Sequence, residues 1–212
     1  MTPTVFGYSV EHRPLTVWGS QAATGPARLL VVGVVHGDEA AGGAVCRELL
    51  ARPGPATPGL LVVPELNPDG VAHRTRQNAR GVDLNRNFPY RWRRLGRPGD
   101  QQFSGTGPLS EPESRAMAAL IRRYRPAVTV WFHQPLGVVD ESGGSLSVET
   151  RFAKALGLPL RRLTRYPGSA VSWQDAGFPG SSAFVVELPR TLEPALESRA
   201  VRALLSLARP RG

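Results

Sequence analysis

Cysteine and lysine are almost missing from this 212-residue chain, and no apolar run approaches membrane length. Cys46 is the only cysteine, which excludes an internal disulfide and any metal site built on several thiolates. A lone thiol suits a reducing compartment, so the cytoplasm is the expected location. The longest apolar runs, 29–35 and 128–132, fall far short of the roughly 20 residues a membrane helix needs and read as buried strands. No basic start followed by an apolar core opens the chain, so a secretory signal is not expected, nor is a membrane partner. Internal repeats and low-complexity tracts are absent as well.

Lys154 is the only lysine among 26 basic residues, yet the formal net charge is +9. The arginines are scattered along the chain. The one local cluster, Arg91, Arg93, Arg94 and Arg97 around Trp92, lies outside any nucleic-acid-binding motif. No nucleic-acid partner is expected. A positive field around a cleft would instead favour an anionic substrate.

With 41% hydrophobic and 20% charged residues, the chain has the balance of a globular protein and the length of one domain spanning 1–212. β-Branched runs alternate with helical patterns, the signature of an α/β domain. Strands are expected at 15–18, 29–35, 60–66, 128–132 and 183–188, and helices starting near Glu39, Glu111, Val148 and Glu193. Ser110-Glu-Pro-Glu113 reads as a capping box, with Ser110 and Glu113 exchanging bonds and Pro112 in the first turn. Residues 91–108, rich in Gly, Pro and Arg, read as a long surface loop beside the site, and 209–212 as a frayed tail.

Three polar residues fall where strands end: His36, His133 and Glu187. Ligands of open α/β sheets bind just beyond the carboxyl ends of the strands, so the three are expected to converge. His36-Gly-Asp-Glu39 places an imidazole and a carboxylate one turn apart on the same side at a helix start. Two ligands from that turn and a third from a distant strand would leave a fourth tetrahedral position for water, the layout of a catalytic zinc site. The spacing alone also suits a helix-capping histidine with a glutamate in the first turn, and for so short a motif taken by itself that reading is the commoner one.

Further on stand Asn67-Pro-Asp-Gly70, Arg76-Gln-Asn78 and Gly81-Val-Asp-Leu-Asn85-Arg86-Asn87-Phe88. With His-x-x-Glu upstream and Ser-Glu-Pro-Glu downstream, in that order, the sequence resembles the zinc carboxypeptidase family over residues 5–208. That leaves no room for a separate propeptide domain. The resemblance implies an α/β fold with a mixed, twisted sheet and helices on both faces. It also implies one zinc ion held by His36, Glu39 and His133, with Glu187 as the general base. Arg76 would polarise the scissile carbonyl, Asn85 and Arg86 would grip the substrate's terminal carboxylate, and Tyr166 would cover the substrate. A guanidinium suits such a grip because its planar fork pairs bidentately with a carboxylate.

Within the family, the stretches 6–14, 133–140, 166–173 and 187–190 are most similar to amidases of murein peptides. That resemblance implies a small peptide substrate with free carboxylates, cut at its γ-D-glutamyl–meso-diaminopimelate amide during cell-wall peptide recycling. Asp140 is expected to meet the far ammonium of the diaminopimelate. Three rivals share these residues. A deacylase of the aspartoacylase type conflicts with the Asn-Pro-Asp-Gly and Ser-Glu-Pro-Glu blocks. A general metallocarboxypeptidase keeps every site residue and differs only in substrate. A murein-peptide binding module without catalysis would have no use for Arg76 and Glu187 beside a full ligand set. Nothing in the sequence sets an oligomeric state.

Overall fold

The computed structural model describes residues 2–19, 27–52 and 59–209. Four strands run parallel through the centre of one sheet: β3 (Leu29–Val34), β4 (Leu60–Glu65), β5 (Val128–His133) and β8 (Ser182–Pro189). On one side β2 (Pro14–Gly19) pairs antiparallel with β4, and β1 (Thr2–Tyr8) antiparallel with β2. On the other, β6 (Leu136–Asp140) pairs antiparallel with β8 and carries the short β7 (Leu160–Arg161). The order across the sheet is β1-β2-β4-β3-β5-β8-β6-β7, so the sheet is mixed.

Successive side chains on a strand point to opposite faces. Leu29 and Val31 therefore enter one core while Leu30 and Val32 enter the other, and Phe132 and Trp131 part in the same way. The first core is covered by α1 (Ala41–Ala51), α4 (Leu146–Leu156) and α6 (Pro194–Ala208). The second is covered by α3 (Pro112–Tyr124) and α5 (Ala170–Gly177). Central strands buried on both faces need continuous apolar runs, which is why 29–35 and 128–132 carry no alternation. A six-residue helix, α2 (Pro68–His73), follows β4. Cys46 is buried in the first core, where desolvation pushes its thiol up to about 12.

Helices α1, α3, α4 and α6 begin within two residues of their expected starts, but one local expectation is corrected. The capping box does not form: Ser110 accepts from Asn87 Nδ2 and donates to Glu111, while Glu113 accepts from Val10 N–H and Asn78 Nδ2. Partners distant in sequence outbid the local exchange. Glu39 closes a turn just ahead of α1, its N–H donating to the His36 carbonyl at 3.0 Å.

Residues 91–108 do form a loop, anchored by Asp83 N–H on Phe103 O (2.8 Å) and by Leu95 N–H on Ser104 Oγ (2.8 Å). Of the tail expected at 209–212, residues 210–212 lie outside the described residues. No helix among the described residues is long and apolar enough to cross a membrane.

Candidate metal centre

The parallel strands share one carboxyl end, and the site is assembled there. His133 is the last residue of β5 and lies opposite Glu187 on β8, while His36 follows β3 by two residues. The 36–39 turn is pressed against α2. A Cβ on Gly37 would lie 1.9 Å from the Gly70 carbonyl carbon, so no larger residue fits. The Asn-Pro-Asp-Gly motif explains this contact. Asn67 caps α2 by accepting from Gly70 N–H (2.9 Å), and its amide donates to the carbonyls of Val35 (3.1 Å) and Arg76 (3.3 Å). One buried side chain thus fixes the backbone on both sides of the site. Asp69 in the same motif is spent on Ser9, Glu11 N–H and Arg13, tying the β1–β2 hairpin to α2.

His36, Glu39 and His133 each offer a ligand atom, all within 4.8 Å of one another. His36 Nδ1 is 2.9 Å from Glu39 Oε1, His133 Nδ1 is 2.9 Å from Glu39 Oε2, and the two Nδ1 atoms are 3.1 Å apart. Both imidazoles are buried, at 2% and 4% exposure, so the three groups face each other rather than water. Two imidazoles and one carboxylate are the donor types that catalytic zinc takes, with a fourth position left over. The residues present fit that ion.

Asp83 lies behind His36. It accepts from Nε2 at 3.0 Å, fixing the tautomer that turns the Nδ1 lone pair toward Glu39 and His133. Its other oxygen accepts from Arg76 Nε (3.1 Å) and Nη2 (2.9 Å), and Arg76 Nη1 donates to Glu39 Oε1 at 3.0 Å. Burial alone would raise the Asp83 carboxyl, but His36 and Arg76 hold it well below the usual range. Glu39 behaves alike: burial works upward and the two histidines outweigh it. For His36 burial acts downward, and Asp83 with Glu39 more than offsets it, raising the imidazole's pKa. Asp83→Asn is expected to weaken zinc affinity about 10- to 100-fold, read by competition with a chromophoric chelator; unchanged affinity would remove this role.

The remaining expected residues surround the same pocket of about 260 Å³. Glu187 projects into it with Oε2 buried and unpartnered, and burial, opposed by His133, raises its pKa. Asn85 is fixed by Asp83 and Ala170: its N–H donates to Asp83 Oδ1 (2.9 Å) and its Oδ1 accepts from Ala170 N–H (3.0 Å). Arg86 is 5% exposed, donates to Asn85 O (2.9 Å), and leaves Nε without a partner. Its guanidinium sits over the Tyr166 ring, 4.1 Å from the centroid. Gly168, at φ +74°, backs directly on Arg86, where a Cβ would lie 2.0 Å from the carbonyl oxygen.

Asp140 is the expectation the structure corrects. It lines the pocket but is 3% exposed, and both oxygens are occupied by Leu163 N–H (2.9 Å), Ser142 Oγ (2.9 Å) and Arg165 Nη1 (2.5 Å). A carboxylate neutralised by its own arginine is not free for a substrate ammonium.

Two residues went unassigned in the sequence. Asp83 sits inside the 81–88 block, where a carboxylate two residues ahead of Asn85 was the available signal. Gln134 gave none. Its N–H donates to Glu39 Oε2 (3.2 Å), its Oε1 accepts from Ala41 N–H (2.9 Å), and its Nε2 donates to Pro189 O (2.9 Å). It thus joins the start of α1 to the end of β8.

A profile described as zinc carboxypeptidase matches residues 59–138. Murein peptide amidase A of Escherichia coli (strain K12) is 36% identical over 181 residues, 79% of this chain and 74% of that protein. The crystal structure of a murein-tripeptide amidase from Escherichia coli O157 aligns with a TM-score of 0.81 at 32% identity, covering 100% of this chain and 93% of that one. Carboxypeptidase A of Helicoverpa armigera shares the fold alone, with a TM-score of 0.75 at 19% identity over 98% of this chain and 67% of that one.

Proposed function

The chain belongs to the zinc carboxypeptidase family, and from that premise we propose that it hydrolyses the γ-D-glutamyl–meso-diaminopimelate amide of murein-derived tripeptide. The observation that carries the reading is Arg86. Its guanidinium is buried, faces the pocket beside the metal ligands, and has no carboxylate partner among the described residues. A buried, unpaired cation is costly, and burial lowers its pKa even with Asp83 nearby. A substrate carboxylate next to the scissile bond completes the pair, with Asn85 beside it.

When bound, zinc supplies a Lewis acid that lowers the pKa of water to about 7. Glu187 removes the proton of the attacking water and returns it to the nitrogen of the leaving amine. The water oxygen joins the glutamyl carbonyl carbon, and the carbon–nitrogen bond breaks. Arg76, held between Glu39 and Asp83, places positive charge where the oxyanion develops. Tyr166 covers Arg86 and shields the bound carboxylate from water. The names of the related amidases support the murein substrate, and the single buried thiol suits cytoplasmic peptide recycling.

The zinc-loaded protein, tested on the L-alanyl-γ-D-glutamyl-meso-diaminopimelate tripeptide, is expected to release free diaminopimelate. A panel including ordinary C-terminal dipeptides and N-acyl amino acids separates the alternatives. Faster cleavage of either of those would replace this substrate.

A further inference from the structure

A cavity of about 580 Å³ opens at the end of the sheet opposite the metal centre. Val128 and Ser182 line it, and they are the first residues of β5 and β8, the strands that carry His133 and Glu187. At about 3.3 Å per residue, β5 sets Val128 roughly 17 Å from His133. No residue lines both this cavity and the metal pocket.

Its walls are two helices. Val148, Phe152 and Ala155 share one face of α4, three and four residues apart, and Ala203 and Leu207 recur in the same way on α6. Arg151 stands among them on the α4 face. Arg28, just ahead of β3, and Arg209, just past α6, complete the charged part of the lining. All three guanidinium-bearing residues are exposed, and among the described residues none has a carboxylate partner. All 17 acidic residues of the chain lie in the described stretches, so the sequence has no further acid to bring there. No Asp or Glu lines the cavity.

Like charges around a concave, low-dielectric wall focus a positive field into the space between them. A bare inorganic anion would meet the arginines and leave the apolar walls wet. A neutral apolar molecule would do the reverse. Only a molecule with both parts uses the whole lining.

We infer that this cavity binds a small, soluble amphiphilic anion: a phosphate or carboxylate on a short aliphatic body. The anion pairs with Arg28, Arg151 and Arg209, whose planar forks match either group, and the aliphatic part lies between α4 and α6. A volume of this size suits a small molecule. An anionic lipid headgroup presents the same chemistry, but no exposed large apolar side chain lines the cavity to enter a bilayer. The inference is independent of the amidase reading.

Calorimetric titration of the zinc-loaded protein with hexyl phosphate, inorganic phosphate and hexan-1-ol separates the two contributions. Hexyl phosphate is expected to bind at least about ten times tighter than either, since each buried methylene adds about fourfold. Phosphate can also meet the metal centre, so substitutions fix the location. Arg28→Gln, Arg151→Gln and Arg209→Gln together are expected to weaken hexyl phosphate about tenfold and to leave the zinc content unchanged. Ala155→Glu, which sets a carboxylate on the exposed part of the α4 face, is expected to weaken it likewise. Equal affinity for hexyl phosphate and inorganic phosphate overturns the inference, as does wild-type affinity in either variant. Sedimentation with phosphatidylglycerol vesicles, without binding of hexyl phosphate, would overturn it too and assign the arginines to a membrane surface.

Discussion

Glu187→Gln is expected to keep one zinc per chain and to lose about a hundred- to ten-thousand-fold of kcat. The amide matches the carboxylate in size, and residue 187 is not among the three metal donors, so the ion stays while the proton acceptor goes. The same substitution has a stability signature. Burial holds Glu187 above its ordinary 4.5, opposed by His133 and aided by Glu39. A carboxyl whose folded pKa is raised contributes its stability below the unfolded value and loses it as pH rises through the folded one. Metal-free wild type should therefore be less stable than Glu187→Gln at pH 7, with the difference closing by about pH 4. Urea titrations of both proteins at the two pH values measure this. Near-normal turnover in the variant would strip Glu187 of its role, whatever the stability result.

Chelation is expected to abolish turnover and to lower Tm by about 8–16 °C from the zinc-saturated protein. Ligand at a thousand times Kd stabilises a fold by about 4.1 kcal/mol. In a domain of this size each kcal/mol moves Tm by about 2–4 °C. The Tm difference should shrink in acid. His36 has its pKa raised, because Asp83 and Glu39 together outweigh its burial, so the metal must displace a proton that the site itself favours. Zinc affinity should fall as pH drops, and calorimetry in buffers of different ionisation enthalpy should report proton release on binding. Full activity at equilibrium with excess chelator would end the zinc reading.

The two histidine donors are legible because a rare residue type stands at a strand end, whereas Glu39 takes its role from the ordered motifs of the family resemblance. Only 4 histidines occur in the chain, and two of them follow the two longest apolar runs. The central strands were legible for the same reason, since burial on both faces writes an unbroken apolar run. The edges were not. β6 reads Leu-Gly-Val-Val-Asp with a glycine inside, β7 has two residues, and α2 contains a glycine in six residues, so none carries a period long enough to recognise. α5 owes its place to Trp173 and Val171 meeting the second core, a tertiary fact.

The polar errors have one cause. Neighbours in sequence pair Ser110 with Glu113, and charge alone pairs Asp140 with a substrate ammonium. In the fold, Glu113 is claimed by Asn78 and Val10, and Asp140 by Arg165. Which distant donor reaches a carboxylate first depends on chain crossings that no local pattern encodes. Asp83 escaped for the converse reason: its importance lies in reaching His36, 47 residues away.

The stretch bearing Tyr166 is laced down on both sides. Leu163 N–H bonds to Asp140, Gly168 exchanges bonds with Tyr90 O (2.9 Å) and Phe88 N–H (3.0 Å), and Ala170 N–H bonds to Asn85. A hinged flap needs slack main chain at its roots, and here there is little. Whatever admits the peptide past this phenol must come from torsion about the tyrosine's own side-chain bonds. Entry and exit would then be timed by the swing of one ring on a stationary frame.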